Sequence, residues 1–347
     1  MKKVLIGIVL ILALIGCAAG YLYFTSQGQD TLFKQAVELR FNQQNKPIDG
    51  LRVVICGSAS PLGNDPARAQ ACIAVVTADH FFLFDVGARS PQRIAQAQLP
   101  MRRLNGVFLT HFHSDHIASL PDVNLTTWVQ GRKAPLQVFG PTGVDSVVAG
   151  FNQAYQLDRG YRTAHHGAAL LPPSAGPMNA VTLTPGEIVW QDDELTVRSF
   201  LVEHAPIEPA VGYRIDYQGR SVVISGDSNA TDELFEVAKG ADLLLHDALS
   251  RALLDPMIEA AERNNVPVMP TIMRDVIDYH ADTRSLPDRA KAAGIQQLAY
   301  YHLVPVPPNG LAEKIFLRDM PTDVILVKDL QTFDLPPYSR EIIISTP

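Results

Sequence analysis

The chain has 347 residues, with 29 Lys and Arg against 36 Asp and Glu, a net charge of −7 and 47% hydrophobic residues. That length holds one large domain or two ordinary ones; 3 Cys and 23 Gly exclude disulfide-dense and collagen-like classes, and the apolar fraction excludes a disordered chain. The mild acidity argues against a protein that grips nucleic acid with a broad basic face.

In chain order, residues 1–29 stand apart. Lys2 and Lys3 precede an uncharged run from Val4 to Phe24, long enough as a helix to span roughly 30 Å, the core of a bilayer. No other charge comes before Asp30, so the positive-inside bias leaves the amino terminus cytoplasmic and the rest outside. Tyr21, Tyr23 and Phe24 would anchor at the outer interface. Leu14-Ile15-Gly16-Cys17 also resembles a bacterial lipobox, in which Cys17 would carry the lipid. Both readings attach the chain to a membrane and put the remainder in the periplasm or outside the cell. With two lysines and no acid in the first 29 residues, residues 30–347 carry 27 basic and 36 acidic side chains, a net of −9. Of the two states open to Cys56 and Cys72 there, a disulfide and a pair of buried thiols, the thiols are expected.

Residues 30–50 are polar and read as a tether, and a catalytic domain is expected over 51–347. Short β-branched runs bounded by Gly and Pro predict strands at LRVVIC, ACIAVVT, FFLFDV, NGVFLT and LQVFG. Later strands are predicted at Leu195–Val202, Val211–Tyr217, Ser221–Ser225, Ala241–Leu245, Gln297–Tyr301 and Val324–Val327. Helices are predicted around Pro91–Gln98, Val144–Gln156, Asp232–Ala238 and Ala252–Arg263. Strands first and then a mixture predict an α/β domain of two sheets with helices outside. The segment Leu171–Pro177 (LPPSAGP) reads as a loop near a site.

The strongest local pattern follows NGVFLT: Thr110-His111-Phe112-His113-Ser114-Asp115-His116. On an extended chain residues i and i+2 share a side, so His111 and His113 can hold one ion together. Asp115 and His116 come where the chain turns into a helix and can face a second ion.

These residues resemble the signature of the metallo-β-lactamase fold hydrolases, His-x-His-x-Asp-His after a strand, over Leu51 to the C-terminus. The resemblance implies an αββα four-layer sandwich and further ligands in order. His204 is similar to the third histidine of the first ion, Asp227 to the shared carboxylate, and His302 to the last ligand of the second ion. The set then has His111, His113 and His204 on one divalent ion and Asp115, His116 and His302 on the other, with Asp227 between; zinc is the expected metal. Two divalent ions, two carboxylates and one hydroxide leave the site near +1, suited to an anionic group. Two ions also suit an in-line displacement by activated water. A shared carboxylate argues against a β-lactamase.

His246-Asp247-Ala248-Leu249 and Tyr279-His280-Ala281-Asp282-Thr283 resemble two motifs of the tRNase Z-like branch. The resemblance gives His280 the role of general acid and Asp247 that of its orienter, beside the catalytic ligand Asp115. Only nine residues separate GYRI from SGD, where the tRNA-cutting enzymes carry a long basic arm. Nucleic acid is therefore not expected as a partner, and the expected substrate is a small anionic ester, an aryl sulfate or a phosphodiester. A lactonase, a ribonuclease Z-type endonuclease and a non-catalytic metal-binding module are the alternatives. Arg162, His165 and His166, with Leu170 and Leu171, are candidates for a substrate wall, and Asp65 or Arg68 of Ser58–Arg68 for the site's edge. His80 reads as a hairpin-turn residue.

Overall fold

A computed structural model describes residues 2–43, 48–63 and 65–346. Residues 44–47, at the end of the expected tether, and Asn64, in the Ser58–Arg68 loop, lie outside the described residues.

The chain divides into two units, Met1–Pro47 and Ile48–Pro347. In the first, α1 (Lys2–Phe24) is long and apolar enough to cross a membrane, with Val4–Phe24 as the candidate span. The stretch read as a tether is largely a second helix, α2 (Ser26–Gln43). Its Gln, Leu, Lys, Ala and Glu residues are good helix formers, which a reading based on polarity alone passes over.

The second unit holds two sheets. The first is built from β1 (Leu51–Gly57), β2 (Cys72–Val76), β3 (Phe81–Phe84), β4 (Gly106–Phe108), β5 (Leu136–Gly140) and β6 (Met178–Thr182). The second has β7 (Ile188–Gln191), β8 (Leu195–Val202), β9 (Ala210–Tyr217), β10 (Arg220–Ile224), β11 (Leu243–Leu249), β12 (Gln297–Val304) and β13 (Ile325–Leu326). The chain then returns to the first sheet with β14 (Thr332–Leu335) and β15 (Ile343–Ser345). The sheet orders are β15-β14-β1-β2-β3-β4-β5-β6 and β13-β12-β11-β10-β9-β8-β7. Around these lie α3 (Ser90–Gln96), α4 (Ser114–Ile117), α5 (Leu120–Val129), α6 (Val144–Ala154), α7 (Gln156–His166), α8 (Asp232–Val237), α9 (Arg251–Arg263), α10 (Met269–Asp275), α11 (Leu286–Ala292) and α12 (Gly310–Phe316).

The unbroken apolar runs have a direct cause. Successive side chains of a strand point to opposite faces, and here both faces are covered. Val53, Ile55, Ile73, Val75, Phe82 and Phe84 join Val222, Ile224, Leu243 and Leu245 in a core between the sheets. Their neighbours Val54, Ala74, Val76, Phe81 and Leu83 pack outward with Ile94 of α3, Val123 of α5 and Val148 of α6. On the second sheet Val223 and Leu244 pack outward with Leu234 of α8, Leu286 of α11 and Phe316 of α12.

Cys56 and Cys72 form a disulfide, which corrects the expectation of two buried thiols. They sit on paired antiparallel strands beside the register shift at Gly57, with Cα atoms 4.9 Å apart, within bridging distance. His80 does close the β2–β3 turn, through Thr77, and its Nε2 also lies 2.5 Å from Asp192 in the β7–β8 turn.

Candidate metal centre

Strand direction brings the candidate residues to one edge. β10, β11 and β12 are mutually parallel, and β8 runs the same way because both β8 and β10 are antiparallel to β9. Their carboxyl ends deliver His204 after β8, Asp227 after β10, Asp247 in β11 and His302 in β12. From the first sheet the end of β4 delivers His111 and His113, and α4 delivers Asp115 and His116. Active groups collect at the carboxyl edge of parallel strands because loops from separate strands converge there.

Two local devices aim these side chains. The β11–β12 register slips between Asp247 and Ala248, so that Tyr301 and Leu303 are paired and His302 is left over as a bulge with φ +45. A bulge of this kind turns its residue out of the regular alternation. Before Asp227, Gly226 has φ +66, and a Cβ there would stand 3.0 Å from Thr110 Cβ and from Val211 O. Only glycine fits that approach without strain.

The seven residues form two groups, His111–His113–His204–Asp227 and Asp115–His116–Asp227–His302, and within each group the ligand atoms lie within 4.8 Å of one another. In the first, His113 Nδ1 lies 3.0 Å from His111 Nε2 and 3.5 Å from His204 Nε2. In the second, His116 Nε2 lies 3.3 Å from both His302 Nε2 and Asp227 Oδ2, and His302 Nε2 lies 3.0 Å from Asp115 Oδ2. All but the half-buried His113 are buried.

The outer ring nitrogens are engaged elsewhere. Asp85 accepts from Thr110 N at 2.9 Å and from Thr110 Oγ1 at 2.8 Å. It also lies 2.8 Å from His116 Nδ1, which therefore donates to it. Thr110 Oγ1, its proton committed to Asp85, accepts from His111 Nδ1 at 3.0 Å. His204 Nδ1 donates to Tyr279 O at 3.0 Å. Each such bond fixes a tautomer and leaves the opposite nitrogen as a free lone pair aimed inward. The sequence reading missed Asp85, although an aspartate closing the run FFLF is a visible signal.

The donor set fits divalent cations. The inward nitrogens of His111, His116 and His204, left unprotonated by their outer bonds, come within 3.0–3.5 Å of ring nitrogens of His113 and His302, a convergence of donors of the kind that holds a cation. Asp227 Oδ1 and His302 Nδ1 are buried without a hydrogen-bond partner. Burial holds the pKa values of His111, His113 and His204 below the usual imidazole range, so these rings are neutral ligands. Burial opposes charge on His116 and His302 as well, but the Asp227 carboxylate, with Asp85 and Asp115, raises His116, and Asp227 and Asp115 raise His302. Burial likewise opposes ionisation of Asp115 and Asp227, and the imidazoles beside them hold both below the usual carboxylate range. Protons attracted this strongly mark where metal charge would sit.

Beside the cluster, His280 Nδ1 donates to Asp247 Oδ2 at 2.8 Å. Asp247 also accepts from Ser228 N at 3.2 Å, and it is fully buried. Burial pushes its pKa up, the bonds from His246 and His280 pull it down, and the net lies below the usual range, so it stays ionised.

His113, Asp115, Asp227, His280 and His302 line a cavity of about 350 Å³ whose other walls are Ser60–Leu62, Ser114, Met269, Ile272, Val276, Tyr279 and Val304. Arg162, His165 and His166 do not line it: they lie on α7, where Arg162 pairs with Asp158 and both histidines are exposed in the last turn. Leu171 packs with Trp128 and Ala175, so LPPSAGP serves the core beside α5 and is no wall of this cavity. Arg68 is buried and bound to Ser58, Val327 O and Glu313, and Asp65 accepts from Ala67 N, so both shape their loop and neither lines the cavity.

The sequence profile described as "Beta-lactamase superfamily domain" matches residues 80–302. The chain belongs to the metallo-β-lactamase fold family. Ribonuclease Z of Mycobacterium bovis (strain BCG / Pasteur 1173P2) is 34% identical over 267 residues, 76% of this chain and 90% of that one. Ribonuclease Z of Mycolicibacterium gilvum (strain PYR-GCK) is 35% identical over 263 residues, 75% and 86% of the two chains. These relatives put the chain in the tRNase Z-like branch of the metallo-β-lactamase fold. Among solved structures, the metallo-beta-lactamase fold protein YhfI from Bacillus subtilis superposes with a TM-score of 0.58 at 18% identity, covering 82% of this chain and 99% of that one. The short form of human tRNase Z gives 0.56 at 20% identity, covering 81% and 98%.

The relatives correct one expectation. Nucleic acid was excluded on the acidic balance and on the short GYRI–SGD interval, which is the tight β9–β10 hairpin turning at Gln218-Gly219. Chains named ribonuclease Z that match three quarters of this one remove that exclusion.

Proposed function

We propose that this chain is a two-metal phosphodiester hydrolase of the ribonuclease Z kind, with zinc as its metal. The observation that carries the reading is the Asp247–His280 pair standing beside two ligand groups that share Asp227. Of the two esters expected from the sequence, the phosphodiester is the one that the ribonuclease Z relatives support. RNA is accordingly the polymer to test first.

Bound ions would bring water into its nucleophilic form near neutral pH and offset the charge of the phosphate. The protein's own residues do the rest. Asp247, ionised and buried, holds His280 by Nδ1, so that His280 in its doubly protonated form can give the proton on its other ring nitrogen to the departing alcohol oxygen. Asp85 and Tyr279 O keep His116 and His204 turned toward the ions. We further read α1 as a membrane anchor with the catalytic unit outside the cytoplasm; its apolar span and the Cys56–Cys72 disulfide support this.

The test is hydrolysis by the full chain of a 3′-extended RNA hairpin, bis(4-nitrophenyl) phosphate, 4-nitrophenyl sulfate and a lactone, with chelator and with zinc restored. Cleavage of at least one of the two phosphodiesters, lost with chelator and regained with zinc, is expected. Turnover of the sulfate or the lactone alone would overturn the reading.

A further inference from the structure

The cavity has a polar floor and, on the His280 side, an apolar wall. Met269, Ile272 and Val276 lie three and four residues apart on and just after α10, one stripe of a helix, and all three line the cavity. Met273, four residues after Met269 on the same stripe, packs into the core with Leu254 and Ile258, and Val276 packs partly against them. One side of the stripe therefore serves the core, and Met269 and Ile272 are left open toward the cavity. Ile272 remains 43% exposed and Met269 39% exposed. Just before them Val268 is 67% exposed at φ +69, a region that β-branched residues rarely adopt. Strain and apolar exposure at one place are more than packing requires, and such strain collects where ligands are held.

The chain order gives the wall its role. Met269 to Val276 leads directly into Tyr279 and His280, so the wall flanks the group that protonates the departing oxygen. Within this cavity, Met269, Ile272 and Val276 are the apolar neighbours available to whatever that oxygen carries. Among the described residues no Lys or Arg lines the cavity, so no side chain on the wall compensates a charge on that body.

We infer that the alcohol released by this enzyme carries an apolar body, aryl or alkyl, seated on Met269, Ile272 and Val276; this rests on the phosphodiester reading above. In the reaction a water oxygen joins phosphorus and the bond from phosphorus to the alcohol oxygen breaks. His280, doubly protonated at the start, gives the proton of its second ring nitrogen to that oxygen, and the proton released by the water restores it. The products are a phosphomonoester and the apolar alcohol. The wall touches the alcohol before and during bond breaking alike, so it acts on substrate binding and moves KM more than kcat.

The test uses the zinc-loaded full chain and two ethyl phosphodiesters, one releasing 4-nitrophenol and one releasing its ring-carboxylated analogue, 3-carboxylato-4-nitrophenol. Each rate is divided by the ester's own hydroxide-catalysed rate, which removes intrinsic reactivity. The neutral ring is expected to be favoured at least about tenfold in kcat/KM, mainly through KM, because its rival sets a charge on an apolar surface. Ile272→Lys and Met269→Lys, both at partly exposed positions, should each narrow that preference severalfold. Equal handling of the two esters overturns the inference while leaving the phosphodiester reading intact. So does a preference untouched by both substitutions. No turnover of either ester sinks the phosphodiester reading and the inference with it.

Discussion

The floor and the apolar wall of the cavity are built on opposite principles. The floor gathers buried histidines and aspartates at the ends of strands, their outer atoms tied by Asp85, Thr110 and Tyr279 O. The wall is half-exposed side chains on a seven-residue helix whose first turn is strained at Val268. Groups that must hold charge in a dry place need fixed partners, whereas a surface that selects a substrate needs only shape and apolarity. Chemistry and selection are thus separable here, and substitutions on the two sides should fail in different ways.

The largest effect belongs to Asp227→Ala, which removes the atom common to both ligand groups. Turnover should fall by more than the roughly 100-fold that loss of an outer hydrogen-bond partner costs. Metal analysis of the same sample should show fewer than two ions per chain. Full activity in this variant would break the account of the floor.

Next come Asp247→Ala and His280→Ala. Each should lower kcat by roughly 10²–10⁴-fold with metal content unchanged, since neither belongs to a ligand group. A loss of metal in either would move that residue from proton transfer to the ion site. Asp85→Ala should do the reverse, weakening metal binding by about 10–100-fold as followed by chelator competition.

On the wall, Ile272→Ala should raise KM for an aryl phosphodiester by only about threefold to tenfold and leave kcat alone. A fall in kcat of the size seen for His280→Ala would erase the distinction between wall and floor.

The smallest effect lies at the opposite edge of the sheets. Asp192 is held at about 2: burial opposes its charge, but bonds from Glu194 N, Leu195 N and His80 outweigh it. A carboxyl depressed below its unfolded value stabilises the fold above that value and loses the contribution as pH falls through about 2. Stability measured by denaturation from pH 6 to pH 3 should therefore fall less steeply for Asp192→Asn, by a small margin because the carboxylate is well exposed and screened. Turnover should not change.

The floor was more legible in the sequence than the wall, and the reason is physical. Metal ligands are rare residue types whose spacing follows strand and helix periodicity, so His111, His113, Asp115 and His116 stand out. His204, Asp227 and His302 come through the family resemblance, since a single His or Asp at a strand end does not stand out by itself. The bulge that aims His302 left no trace, since it depends on pairing with β11. Long strands such as Leu195–Val202 read clearly, whereas β6, β7 and α10 are short and partly exposed and their periodicity does not separate them from loops. Met269, Ile272 and Val276 are common apolar residues, and only tertiary packing turns them toward the cavity. Arg162, His165 and His166 misled for the converse reason: they look functional as a cluster, yet their helix does not line the cavity. The Cys56–Cys72 bond required strand register, which composition does not give.

The central claim is that two ions, held through a shared Asp227, carry phosphodiester hydrolysis. The most direct measurement is a zinc titration of the chelator-stripped full chain, reading bound metal and turnover of bis(4-nitrophenyl) phosphate on one sample. The account predicts two ions per chain and turnover that appears with the second equivalent. Full turnover at one equivalent, or with no metal bound, would contradict it.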